Sequence, residues 1–377
     1  MASDDFVPSG TGVGTHLKIL APELVKRGHS VSIVTTRRKG QASEEVWEGV
    51  RVFRVFSMPA YGFYQALPSK SSLLRIIDLV HPDLVHHHYV GYLMMRLCGI
   101  AESLEIPQVS TYHFSSEVLT QPLLMRPFAS LVRKLLVSYN NRFGLIIAPS
   151  RNLASQIARD GIDTPIRSIS NPVVFKAARV PIKSASNDDF TILYAGRLGV
   201  EKNLPLLLRA YARLRSVVRD AVVQIAGHGP ELGALQDLCS ELGISDGVHF
   251  LGFLDHQALG QRYAGCDVFV LPSVVETQGL VAMEAMRFSK PIIVTSAIVS
   301  AEELVTEGLN GFIVDPQDSQ QLADRLAILA GNRELRASMG HESAIRSEAY
   351  RPELVVTETE SAYRAVMASS SAIPKAA

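Results

Sequence analysis

The strongest restriction on this chain is a pattern that runs twice. Each half of the 377 residues alternates short β-branched runs with segments of helical period. In the first half a helical pattern occupies 16–27 and stops at Gly28. Strand-like runs follow at 31–35, 50–56, 83–88, 107–112 and 145–148. The second half restarts at 190–195, continues through a helix at 204–214, and adds strand-like runs at 221–226, 247–251, 268–271 and 291–295. Such alternation predicts an α/β fold with parallel sheets and helices on both faces, because parallel strands need a crossover between them. Two cores in tandem are expected, over 1–175 and 190–345, joined by the polar, aperiodic stretch 176–189. A helix within 346–367 is predicted to pack back toward the first domain, and 368–377 reads as a frayed tail. Only MASDDF precedes the first glycine loop, so the first strand of that sheet is predicted to be very short.

Charge and cysteine usage narrow the class. Lys plus Arg and Asp plus Glu both total 37, and this balance argues against a nucleic-acid partner. The halves differ: 1–175 carry 18 basic and 13 acidic residues, 176–377 carry 19 and 24. Cys98, Cys239 and Cys266 have neither CxxC nor metal-ligand spacing, which fits a reducing cytosol. No run of about 18 apolar residues is present. The acidic N-terminus lacks the apolar stretch of a signal peptide. A cytoplasmic protein is expected, free or resting on the inner face of the membrane.

Five segments carry chemistry. Glu276 and Glu284 flank Gly279, Leu280 and Val281 at the start of a helix that follows the strand VFVL. Open N–H groups there favour a phosphate, and a carboxylate beside a phosphate is best aimed at sugar hydroxyls. The same residues also read as a helix cap with a solvated glutamate. Arg197 and Lys202 share the loop after the strand FTILYA, where two cations can clamp a diphosphate. Gly10, Gly12 and Gly14 form a loop that lets backbone approach a phosphate, or simply a tight turn. His113 and the triplet His86, His87 and His88 close two strands. Neighbours on a strand point to opposite faces, and no acid or cysteine supports them, so no metal site is expected. Finally, 119–143 sets Arg126, Arg133, Lys134 and Arg142 among apolar residues with no acid. That is the pattern of an interfacial membrane helix, or of a surface helix with snorkelling cations.

In order and spacing these motifs resemble family 4 of the retaining glycosyltransferases, over nearly the whole chain. The resemblance rests on TGVGTH, PDLVHHH, TYHF, APS, SNPVVF, AGRLGVEKN, IAGHGP, FLGF, CDVFVLPS, ETQGLVAMEAM and GLNGFIVDPQD. It implies the GT-B architecture, two Rossmann-like doubly wound domains with an interdomain cleft. It also implies hexosyl transfer from a UDP- or GDP-sugar to a lipid, glycan or small-molecule hydroxyl, giving an α-glycoside with no metal or other cofactor. Carried over by position, Arg197 and Lys202 match the donor-diphosphate grip, Glu276 the contact to the transferred sugar and Glu284 the ribose contact. Gly279, Leu280 and Val281 match the phosphate-binding backbone, Gly12 the opposing glycine and His113 a histidine beside the sugar. His16 matches the histidine after the glycine loop, and Gly227 lies in a donor-side loop. The chain departs from the family at Thr11, His228 and Pro172, none of which removes an expected charge. A nucleotide-sugar epimerase and a non-catalytic scaffold on the same architecture are the rival readings.

Overall fold

A computed structural model describes residues 1–8, 11–60, 63–88, 91–113, 129–174 and 189–371. They form two compact units: Met1–Pro172 with Arg351–Ala377, and Val173–Tyr350.

In the first unit β1 (Ser32–Thr36) pairs in parallel with β3 (Val50–Val55). β2 (Glu44–Trp47) adds antiparallel to β3. A second row runs β6 (Val85–His87), β7 (Gln108–Thr111), β8 (Leu145–Ala148) and β9 (Ile166–Ser168), all parallel. The first strand is indeed minimal: Ala2 alone bridges both β1 and β6. Met1–Ser3 exchange four backbone hydrogen bonds of 2.9–3.1 Å with Val34, His86 and His88. The slot is filled by buried Ala2 and Ser3, small enough to sit between two strands. A hairpin of β4 (Ser57–Ala60) and β5 (Phe63–Ala66) follows β3. Sequence patterning does not show this hairpin or β2. The helix Pro352–Ser371 belongs to this unit and packs Val355, Ala362 and Val366 with Val109, Leu145 and Ile147 of the sheet.

The second unit holds one six-stranded sheet, entirely parallel: β10 (Thr191–Ala195), β11 (Val222–Ala226), β12 (Val248–Gly252), β13 (Val268–Leu271), β14 (Ile292–Thr295) and β15 (Gly311–Val314). Their order is β12-β11-β10-β13-β14-β15. Both faces are covered, so β10, β13 and β14 are buried along their whole length and read as continuous apolar runs rather than alternating ones. The direction of winding reverses between β10 and β13. In a doubly wound sheet this reversal opens a crevice at the carboxyl ends of the two strands.

Candidate functional site

The two loops richest in polar motifs leave β10 and β13, at that reversal. The first runs Gly196–Gly199 into a tight turn, Val200–Lys202, and then the helix Leu204–Arg215. It is zipped to the loop after β11: Gly196 N–H donates to Ala226 O, Leu198 N–H to His228 O and Glu231 N–H to Leu198 O. Gly227, at φ +145°, makes this possible, since a Cβ there would collide with the Gly196 carbonyl. Its own N–H donates to Gly252 O at 2.8 Å. Gly227 therefore packs two loops together and spends its own N–H on that seam.

Arg197 and Lys202 share this loop but not an environment. Arg197 is 54% exposed and donates to Glu201 Oε1 at 2.8 Å. Lys202 is 18% exposed, and its Nζ donates to Glu276 Oε2 at 2.6 Å. The β10 loop and the β13 loop thus meet through the very pair that the motifs marked separately. Two more bonds pin the β13 loop: Val274 N–H donates to Glu201 O and Val299 N–H to Glu276 O.

The helix Leu280–Arg287 begins at Gly279, whose φ of +76° sets a left-handed cap with no side-chain acceptor. The first N–H groups of a helix have no partner within it, so Leu280 and Val281 present open donors. Glu284 lies one turn in and is half-buried. Tyr263, on the helix His256–Gly265, donates its hydroxyl to Glu284 Oε2 at 2.8 Å. Burial raises the Glu284 carboxyl to about 7, while the tyrosine bond pulls the other way.

The first unit carries a different chemistry. The glycine segment is already helical: the helix is Gly12–Lys26, starting four residues before the predicted 16–27, with Thr11 as cap accepting from Gly14 N–H at 3.3 Å. Gly12 is exposed at its start, and Gly10 lies outside the described residues. His16 is buried on its second turn. Alternation along β6 holds. His87 faces one side, bonded to Gln108 Oε1 at 2.9 Å, and His86 and His88 face the other. There His88 meets His113 and His16, with ring centroids 5.6 Å and 5.2 Å away. His88 Nδ1 and His113 Nε2 are 3.3 Å apart. The structure therefore assembles a ligand cluster that the triplet alone does not suggest: His16, His88 and His113 bring one ring nitrogen each within 4.8 Å of one another. Burial lowers all of these imidazoles, His16 and His87 to about 4. Their mutual repulsion adds to the effect at His86, His88 and His113.

Two sequence profiles cover most of the chain: "Glycosyltransferase Family 4" matches residues 10–176 and "Glycosyl transferases group 1" matches 177–346. The chain is a family 4 glycosyltransferase. Among its relatives is the alpha-monoglucosyldiacylglycerol synthase of Streptococcus pneumoniae, 28% identical over 77% of this chain and 69% of the relative. Solved GT-B structures share its fold. Sucrose-phosphate synthase of Thermosynechococcus elongatus aligns with TM-score 0.79 at 19% identity, covering 96% of this chain and 94% of that one. Anabaena HepE in complex with UDP-glucose aligns at 0.76 and 19%, covering 96% and 98%.

Tyr263 of this glycosyltransferase escaped sequence reasoning. Its spacing marks it only as an apolar-face residue, and nothing local says that its hydroxyl reaches a glutamate 21 positions on. Of the basic segment 119–143, residues 119–128, Arg126 among them, lie outside the described residues. Arg133, on the helix Ala129–Asn140, pairs with Asp160 at 3.0 Å, and Arg142 donates through Nε to Glu102 at 2.7 Å. Acids absent from the segment are supplied by the fold. Lys134 stays exposed beside Leu131 and Leu135. Among the described residues no helix is long and apolar enough to cross a membrane.

Proposed function

We propose that this enzyme moves a hexosyl group from a UDP- or GDP-sugar to a hydroxyl of a lipid or glycan acceptor with retention of the α-configuration. The observation that carries the reading is the Lys202–Glu276 pair beside the open start of the helix Leu280–Arg287, at the winding reversal. A donor diphosphate suits the N–H groups of Gly279, Leu280 and Val281, with Arg197 and Lys202 as counter-charges. Glu276 suits the sugar hydroxyls and Glu284 the ribose. Gly12, His16 and His113 keep the donor roles that the family resemblance gives them, as proposals. As the glycosidic C–O bond to the diphosphate breaks, the acceptor oxygen bonds the anomeric carbon from the same face. A leaving phosphate oxygen takes the acceptor proton. The protein's part is then charge stabilisation and positioning, and two cations supply it without a divalent metal. The pneumococcal relative named for a diacylglycerol product and the HepE complex with UDP-glucose support this donor and acceptor class. The exposed strip Leu131, Lys134 and Leu135 suits an anionic membrane surface.

The test is a panel of UDP- and GDP-hexoses with diacylglycerol and oligosaccharide acceptors, in excess chelator, with products read by the NMR coupling of the anomeric proton. An α-linked product from one donor is expected. No transfer and no slow donor hydrolysis across the panel sinks the reading, and a β-linked product sinks retention. Sedimentation with anionic vesicles that does not fall for Lys134→Gln removes that residue from the membrane contact.

A further inference from the structure

We propose that His16, His88 and His113 form a binding site for a divalent late transition metal, Zn2+ first among them, within the N-terminal unit. The site is separate from any metal need of transfer, which proceeds without one in the reading above.

Three elements build the site. His16 comes from the second turn of the helix Gly12–Lys26, His88 from just past the end of β6, and His113 from just past β7. All three rings are buried. His88 Nδ1 and His113 Nε2 are 3.3 Å apart. Two imidazole nitrogens on one tetrahedral Zn2+, each at about 2.0–2.1 Å, stand roughly 3.3–3.4 Å apart, so this edge of the site is already formed. The three ligand nitrogens all lie within 4.8 Å of one another, so no pair must close by more than about 1.5 Å, a movement within reach of side-chain torsions, to complete the trigonal face. His88 Nε2 is buried without a hydrogen-bond partner, an unusual state for an imidazole in a packed interior.

His86 packs against His88 with ring centroids 3.8 Å apart and the rings tilted by 41°, and is itself held by Thr111 Oγ1 and Tyr363 OH at 2.7 Å each. Asn171 is the polar side chain next to His16. Three imidazoles leave one tetrahedral position open. Among the described residues no carboxylate joins the trio, so the ion keeps its charge and the fourth ligand is expected to be an anion, such as hydroxide.

The proposal draws on the geometry of one unit and stands whether or not the donor reading does. Its test uses the untagged full chain, freed of metal with chelator and titrated with Co2+ and then Zn2+. One equivalent of Co2+ should give visible d–d bands of a tetrahedral site, and one equivalent of Zn2+ should bleach them. His16→Ala, His88→Ala and His113→Ala should each weaken Zn2+ by at least about 100-fold, beyond the 10–100-fold typical of an outer-shell change. Circular dichroism checks that each folds, and His29→Ala, on the exposed surface, should bind as the parent does. An absence of d–d bands in the folded parent overturns the site. So does full affinity in all three variants, which would put the metal elsewhere. Transfer activity with no metal binding defeats this inference alone; metal binding with no transfer defeats the proposed function alone.

Discussion

The two units end their sheets on opposite chemistry. At the carboxyl ends of β6 and β7 the first unit gathers imidazoles that are buried, uncharged and packed on one another. At the ends of β10 and β13 the second unit sets ammonium against carboxylate and guanidinium against carboxylate, all partly exposed, beside an uncapped helix start. The strands take part in the difference: β6 and β7 read VHH and QVST, polar yet buried along their length, where β10 and β13 read TILYA and VFVL. The loops add the rest. A charge kept half in water can exchange its carboxylate for a phosphate at low cost, whereas a buried neutral ring offers a lone pair or an N–H and resists becoming charged.

The sharpest way to break the comparison is to remove the charges of the second unit. Glu276→Gln is expected to lower turnover on the order of 10²–10³-fold, the loss typical of one preorganised electrostatic contact, with little change in UDP or GDP affinity. Lys202→Met should cost turnover as much and weaken the nucleotide as well. The double variant separates catalysis from simple ion pairing: restored turnover would mean the pair matters only for holding two loops together. Steady-state kinetics and calorimetry read both.

A backbone change should come next in size. Gly227→Ala forces a Cβ into the Gly196 carbonyl at a φ that L-residues avoid. It is expected to destabilise the second unit by about 2–4 kcal/mol, within the range of severe single substitutions. Hydrogen exchange read peptide by peptide should show the loss in 190–350 and none in 1–172. An unchanged second unit would mean that the loop seam can shift freely.

These contrasts were unevenly legible in the sequence. Apolar runs such as VFVL and PIIVT announce buried parallel strands because both of their faces must be covered. Lys202 and Glu276 were each visible as charges at strand ends, but their 2.6 Å pairing depends on β10 and β13 being neighbours across the winding reversal. Asp160 and Glu102 reach Arg133 and Arg142 only through tertiary packing, so the basic segment looked barer of acid than it is. The His triplet disclosed only part of its surroundings. Strand alternation correctly split His87 from its neighbours, but it carried no information on His16, which arrives from a helix 72 positions earlier than His88.

Acidity separates the units next, with opposite signs. His16 and His87 titrate near 6.5 when unfolded and near 4 when folded, so the stability they confer is present above about pH 6.5 and fades as pH falls toward 4. Each should cost on the order of 1–2 kcal/mol by pH 5. Glu284 is raised to about 7, so its contribution is present at pH below its unfolded value and is lost as pH rises through about 7, on the order of 1 kcal/mol. Hydrogen exchange at pH 5, 6, 7 and 8 should loosen the first unit at the acid end and the second at the alkaline end. His16→Leu should soften the acid limb and Glu284→Gln abolish the alkaline one. Parallel profiles in the two units would refute the contrast.

The smallest expected effect lies between Arg197 and Lys202, and it asks whether exposure alone ranks two cations in one loop. Arg197 is 54% exposed with Glu201 one turn away, so its charge is screened and already matched. Lys202 is 18% exposed and its partner, Glu276, comes from another loop. Arg197→Ala is therefore expected to weaken UDP or GDP by no more than about tenfold, and less as salt rises from 50 to 300 mM, since a screened pair is worth at most about 1 kcal/mol. The Lys202→Met loss should be larger and nearly independent of salt. Arg197→Lys distinguishes a fork from a point charge: full affinity means that only the charge counts, and a loss equal to that of Arg197→Ala means that the guanidinium grips two oxygens at once. If Arg197→Ala proves the more damaging of the two, the guanidinium leaves Glu201 for the diphosphate on binding, and the exposed cation is the principal clamp.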